Sequence, residues 1–350
     1  MSNVTSLKPI LDKKMTKIDP RMSVAPMMNW TDRHCRVFHR LLSRNTLLYS
    51  EMITSGAIIH GNRQSLLKFT EIEHPVALQL GGSDPKQLSE ASKIGIDFGY
   101  DEINLNIGCP SDRVQSGCFG AILMKQPSLV SECISQMKKG VGNKKVTIKC
   151  RLGVDNQDPE HILPEFVKHL LEAGVDGVII HARKAILDGL SPKQNREIPP
   201  LKYDLVSKIK YKFPKAEIVI NGGIGNLKLA NAFLKEGLDG VMIGRAAYNN
   251  PHDILLRADE VIFKEKVLKK SMKSVILEFC GYIEKELGQG TRLNEMTRHI
   301  LGAFNGFSGA RSFRQTLSEK AHRSGAGTEV VVAAVDKVTD DNPVYTQVKR

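Results

Sequence analysis

Glu102-Ile103-Asn104-Leu105-Asn106-Ile107-Gly108-Cys109-Pro110-Ser111 decides how the rest of this chain is read. Ile103, Leu105 and Ile107 are apolar at every second position, the period of a strand. The strand stops at Gly108-Cys109-Pro110, because neither a strand nor a helix continues through that proline. A thiol is thereby held on a rigid turn at a strand's carboxyl end, the end where parallel α/β folds bind their ligands. The following Ser116-Gly117-Cys118-Phe119-Gly120-Ala121 is rich in small residues and suits a lid over that turn.

Seven further apolar runs of similar length surround this one. They are Met22–Met27, Leu47–Ile53, Val76–Leu80, Val146–Cys150, Gly177–Ile180, Glu217–Ile220 and Gly240–Ile243. Most are rich in Val, Ile and Leu without strict alternation, as strands buried on both faces are. Helical stretches separate them, among them Asp84–Ile96, Ser128–Lys139, Pro159–Ala173, Lys202–Lys212 and Asn226–Lys235. Asp84-Pro85 and Asp158-Pro159 each put a capping carboxylate before a proline at the first helical position. Gly174 and Gly237 follow helices as C-terminal glycines. Eight strands alternating with helices predict an α/β fold, a TIM (β/α)8 barrel. An open doubly wound sheet is the alternative, but it usually has fewer strands and a G-x-G-x-x-G turn after its first one, absent here. Beyond Asn249-Asn250-Pro251 the alternation ends. Lys264–Leu287, Arg292–Phe304 and Arg311–His322 read as amphipathic helices of a C-terminal helical domain. The organisation expected is an N-terminal extension over 1–20, a barrel over 21–258, a helical domain over 259–325 and a tail over 326–350.

In a 350-residue chain, 41% hydrophobic and 25% charged residues are ordinary for a soluble globular protein. No run of eighteen apolar residues predicts a membrane span, and the N-terminus lacks the apolar core of a secretory signal. The six cysteines show no C-x-x-C spacing, so no metal is expected, and their scatter suits reduced thiols in a cytoplasm. The net charge is +12. Twelve basic and six acidic residues lie between Lys264 and Gly325, which is half of that excess. A charge run is most often a solvated face. Here the local enrichment agrees with the sign of the whole chain, and a polyanionic partner, nucleic acid, is the expectation.

Polar residues gather at the strand ends. Ala25-Pro26-Met27-Met28, Gln79, Asn106 with Cys109, Lys149 with Arg151, His181-Ala182-Arg183, Asn221-Gly222-Gly223 and Gly244-Arg245 all face one mouth if the barrel closes. Asn221-Gly222-Gly223-Ile224-Gly225 exposes backbone amides, and Gly244-Arg245 adds a permanent cation, as a phosphate site requires. Tight turns alone would explain the glycines. Lys149 lies in an apolar strand, where a lysine is costly unless paired with negative charge. It suits either a Schiff base, as in barrel aldolases, or a cation beside an anionic cofactor ring. Gln79 and His181 favour the ring, because they suit the hydrogen-bonding edge of a flavin.

Ser23-Val24-Ala25-Pro26-Met27, Trp30-Thr31-Asp32, Gln79-Leu80-Gly81-Gly82, the Asn104–Pro110 run, His181-Ala182-Arg183, Asn221-Gly222-Gly223 and Gly244-Arg245 resemble the tRNA-dihydrouridine synthases, in the family's order, from about Met22 to Leu317. Arg33-His34-Cys35, Thr46-Leu47-Leu48-Tyr49, the stretch from Gly189 to Pro200 and Gly309-Ala310-Arg311 resemble the subfamily called dihydrouridine synthase A. The chain departs from the pattern at Met28-Asn29, Ala246 and Cys118. The resemblance implies an FMN-dependent barrel with a helical tRNA-binding domain. It implies reduction of the C5–C6 double bond of D-loop uridines at tRNA positions 20 and 20a, with NADPH as reductant. Hydride then goes from reduced FMN to C6, and Cys109 gives the proton to C5, since a cysteine thiol is largely protonated at neutral pH. The FMN contacts carried over are Pro26, Met27, Met28, Gln79, Lys149, His181, Asn221, Gly222, Gly223, Gly244 and Arg245. The tRNA contacts carried over are Asn106, Lys193, Arg196, Arg311 and Arg314. A monomer is expected. Two other readings stand beside this one: a flavin barrel reducing small pyrimidines, which would have no use for the basic helical domain, and an idle RNA-binding scaffold, which would have no use for the cysteine.

Overall fold

In the computed structural model, which describes residues 18–111, 117–266 and 270–339, eight parallel strands pair in chain order and close on themselves. They are β1 (Met22–Val24), β2 (Leu47–Thr54), β3 (Val76–Gly81), β4 (Glu102–Ile107), β5 (Lys145–Arg151), β6 (Gly177–His181), β7 (Ile218–Asn221) and β8 (Gly240–Ile243). The pairing of β1 with β8 makes the sheet a barrel and rules out the open alternative. Ile103, Leu105 and Ile107 of β4 are fully buried in the main core, under the helices that ring the barrel. A second, smaller cluster of Ala25, Leu47, Tyr49, Ala77, Ile179, Val219 and Met242 packs apart from it.

Several helices begin where a side chain caps them. The main helices around the barrel are α1 (Arg33–Leu42), α2 (Pro85–Asp97), α3 (Pro127–Val141), α4 (Pro159–Glu172), α5 (Tyr203–Lys212) and α6 (Leu227–Lys235), with the short α7 (Arg245–Asn249) after β8. The Asp84 and Asp158 side chains accept from the backbone N–H of Gln87 and Glu160, each ahead of a proline in the first turn. Beyond two single-turn helices at Pro251–Ile254 and Ala258–Val261, the helical region is made by α8 (Met272–Leu287), α9 (Leu293–Thr297), α10 (Ala310–Lys320) and α11 (Thr328–Val335).

Three expectations change. The first long helix starts at Met272, capped by Ser271, rather than at Lys264. The second ends at Thr297, and turns replace it over 298–307. Gly302 there runs so close to the end of α7 that a Cβ on it would lie 2.5 Å from the carbonyl oxygen of Asn249. The tail drawn from 326 is instead structured as far as Val338. Val330, Val331, Ala334 and Val335 are buried, and α11 packs on α8 and α10, because a run so apolar has to be covered. The expected extension up to residue 17, Ser116 of the lid and the tail beyond 339 lie outside the described residues.

The helical region is bolted to α1. Arg33 pairs with Glu286 at 2.5 Å, and Tyr282 meets both Arg33 and His34, at 3.1 and 2.8 Å. Asp32, which caps α1, also accepts from Arg298 and from His299 Nε2 at 3.0 Å. Among the described residues no helix is long and apolar enough to cross a membrane.

Candidate active site

Cys109 sits half-buried on the turn that leaves β4. The Asn106 side-chain oxygen accepts the backbone N–H of Gly108 at 3.1 Å and of Cys109 at 3.0 Å. The Cys109 carbonyl accepts from Ala121 at 2.9 Å, and its Sγ lies 3.4 Å from Ser111 Oγ. Three groups, through four contacts, thus hold the thiol's seat. Asn106, expected at the tRNA, has its oxygen and one N–H engaged inside the protein, the latter by Gln79 Oε1 at 2.9 Å. Its oxygen faces the cysteine turn. Cys35, Cys133, Cys150 and Cys280 are buried in the packing, while Cys118 is exposed.

Cations crowd the same mouth. The register sets Lys149 beside Asn106, and Arg151 beside His181 beside Asn221. Lys149 has no carboxylate partner among the described residues, and burial together with the Arg151 charge lowers its pKa to about 8. Burial lowers Arg151 to about 10. Its guanidinium donates to the carbonyls of Gly108 at 3.1 Å, Lys184 at 3.0 Å and Asn195 at 2.9 Å, so it ties the cysteine turn to the loop after β6. His181 is held neutral by burial and by Arg151 and Lys149. Its Nδ1 is buried with no hydrogen-bond partner, and so is Nε of Arg183. A buried polar atom without a partner in the protein calls for one from outside it, a water, an ion or a ligand.

The turns after β7 and β8 complete the mouth. Gly222 and Gly223 take φ of 113° and 66°, which only glycine enters freely, and a Cβ on Gly223 would meet Leu201 at 2.5 Å. Tyr203 donates to the Gly222 carbonyl at 2.8 Å, and Asn221 Nδ2 to the Met242 carbonyl at 2.7 Å. Gly244 opens α7, and a Cβ built on it would touch Met27 Sδ at 3.4 Å, so the turn after β1 adjoins the turn after β8. Pro26 is half-buried beside Met27, and Met28 is 55% exposed. Gln79 is buried one level below, bonded to Asn104 and Asn106. Arg245 pairs with Glu197 at 3.0 Å.

Lys193 and Arg196 flank a short turn whose Asn195 is fully buried. Burial and the neighbouring Arg245 lower the pKa of Arg196, so the loop after β6 brings a further cation to the mouth. Arg311 and Arg314 stand apart, on the first turns of α10. Arg314 donates to Asn305 at 2.9 Å, and Asn305 in turn reaches the carbonyl of Asn249, at the end of the helix that Arg245 begins. The sequence reading set Arg151 and Arg183 at the mouth without giving either a contact, and it gave Tyr203 and Asn104 no part in the site. Both arginines stand at strand ends, which was the available signal. Tyr203 carried none.

Residues 23–339 match the family described as dihydrouridine synthase (Dus). The chain belongs to the dihydrouridine synthases. It is 54% identical over 319 residues to the tRNA-dihydrouridine(20/20a) synthase of Vibrio cholerae, covering 91% of this chain and 96% of that one. It is 51% identical over 339 residues to the protein of that name from Escherichia coli strain K12, covering 97% of this chain and 96% of the relative. Among solved structures, an old yellow enzyme homologue from Zymomonas mobilis shares 14% of its sequence with this dihydrouridine synthase at a TM-score of 0.51, over 73% of this chain and 92% of that one. That likeness is one of fold. The family match of this dihydrouridine synthase runs through α11, beyond the Leu317 to which the sequence resemblance was drawn.

Proposed function

We propose that this dihydrouridine synthase reduces the C5–C6 double bond of uridines 20 and 20a in the D-loop of cytoplasmic tRNA, using FMN and NADPH. The observation that carries the reading is the unpaired Lys149 beside the partnerless Nδ1 of His181, both at the mouth where Cys109 sits. The residues present fit a flavin. Lys149 and His181 suit its ring, with Gln79 below, while the Gly222-Gly223 turn, Gly244 and Arg245 suit its phosphate. Pro26, Met27 and Met28 supply the apolar wall. When bound, the flavin supplies the hydride that uracil C6 receives. Cys109 donates the proton that C5 needs, from a thiol whose turn is fixed by Asn106 and Arg151. Lys149 and Arg151 stabilise the negative charge that develops at the mouth. A lysine of pKa about 8 also suits Schiff-base chemistry. Family membership and the cysteine turn favour reduction.

A uridine in folded tRNA has to leave its stack to reach this mouth, at a cost of a few kcal/mol. Lys193, Arg196, Arg311 and Arg314 offset that cost by holding the tRNA backbone. The test is in two steps. Denatured protein should release FMN. Cys109→Ala should keep its flavin and accept electrons from NADPH, yet leave unmodified tRNA without dihydrouridine in nucleoside mass spectra. Absence of flavin after reconstitution, or full product from Cys109→Ala, overturns the reading.

A further inference from the structure

A chain of buried side chains runs through the barrel from Glu102 to the seat of Cys109, and its hydrogen bonds have one direction. Backbone N–H groups only donate, so the Asn106 atom facing Gly108 and Cys109, at 3.1 and 3.0 Å, is its oxygen. Asn106 Nδ2 therefore donates to Gln79 Oε1 at 2.9 Å. Gln79 Nε2 donates to Asn104 Oδ1 at 2.8 Å, and Asn104 Nδ2 to Thr147 Oγ1 at 2.9 Å. The Thr147 hydroxyl, accepting there, gives its own proton to Glu102 Oε1 at 2.5 Å. The same oxygen accepts the Tyr49 hydroxyl at 2.6 Å. Glu102, Asn104, Thr147 and Gln79 are all at most 1% exposed.

Barrel interiors are normally filled with branched apolar residues. A polar column here is costly unless every member is satisfied, and it then specifies a single arrangement. This one has a donor at its upper end and an acceptor at its lower end. Each of the three amides between them has only one orientation that satisfies both neighbours. Without the lower acceptor, only the Gly108 and Cys109 N–H groups still orient Asn106, and the amides of Asn104 and Gln79 lose the bond that anchors the column from below.

We propose that Glu102 and Thr147 are positioning residues that anchor the lower end of this chain and, through Asn104, Gln79 and Asn106, hold the Cys109 thiol in its working seat. Their effect on turnover rests on reading Cys109 as the proton donor, whereas their effect on the seat does not.

Thr147→Val keeps the shape of the side chain and cuts the chain. Tyr49→Phe also removes one hydroxyl from Glu102 Oε1 but leaves the chain whole, so a merely structural loss would affect both variants alike. The seat is read by the rate at which iodoacetamide alkylates Cys109, followed by peptide mass spectrometry, which needs neither flavin nor tRNA. The expected result is a change in that rate of about tenfold in Thr147→Val, the scale at which supporting hydrogen bonds act on the groups they orient. Thr147→Ser should restore the rate and Tyr49→Phe should leave it as in the wild type, with thermal melts monitoring the fold. Dihydrouridine formation by Thr147→Val should fall with the change in seat. Should Thr147→Val not accumulate folded, Asn104→Leu cuts the chain one link nearer the cysteine and meets the same control. Equal alkylation rates in the cut-chain variant and Tyr49→Phe overturn the proposal. If wild-type protein forms no dihydrouridine while the alkylation contrast holds, the functional reading fails and the positioning chain stands.

Discussion

Arg151 Nε donates to the carbonyl of Gly108 at 3.1 Å, one residue before the Cys109 thiol. The rest of that guanidinium holds the loop after β6, through Lys184 and Asn195, so one buried side chain joins the cysteine turn to the loop carrying Lys193 and Arg196. Arg151→Met would leave three carbonyls without their charged donor. It should cost about 2–4 kcal/mol in urea unfolding and lower dihydrouridine formation more than flavin content. Unchanged unfolding would mean that water replaces those bonds.

Lys149 gives a pH dependence of definite sign. Its folded pKa, about 8, lies below the usual 10.5 because burial and Arg151 disfavour the charge. The folded state therefore holds fewer protons between those values, and its stability rises as pH rises through them. Flavin-free Lys149→Met should melt above the wild type near neutral pH, and the two curves should converge by about pH 10. Parallel curves at all pH values would show that Lys149 carries no such penalty.

Asp32 links α1 to the helical region. Burial raises its pKa, but this is outweighed by the hydrogen bond and charge of His299, the Cys35 N–H and Arg298, which together hold the carboxyl well below the usual range. The resulting stability is present above the ordinary carboxylate pKa and lost as acid takes the pH down through the folded value. Asp32→Asn should cost about 3 kcal/mol at pH 7, and the gap should narrow only below about pH 4. A gap already closed at pH 6 would place the effect on another group.

Arg311 and Arg314 open α10, with Arg314 tied through Asn305 to the end of α7. Replacing both with alanine should weaken tRNA binding and lower its log–log salt slope by about one unit per lost phosphate contact. Flavin reduction by NADPH should not change, because the mouth keeps its own groups. Equal affinity and slope would make the basic helical region a solvated face.

Much of this was readable because it depends on near neighbours. The β4 strand of Glu102–Ile107 follows from a two-residue period and a proline stop, and the starts of α2 and α4 from an Asp-Pro pair each. Gly222 and Gly223 were readable as a turn because their φ values exclude other residues. The run at Val330–Val335 is different. It is apolar on every side, so no periodicity distinguishes a helix from a strand, and only the covering α8 and α10 make it helical. The roles of Arg151 and Asn106 were also beyond reach. An arginine or asparagine at a strand end faces the mouth in any barrel, but whether it meets a ligand or the protein's own backbone depends on what else arrives there. Asn106 meets Gln79 across 27 residues of chain, and Arg151 meets Asn195 across 44. Closure of the barrel makes those meetings, and no local pattern encodes them.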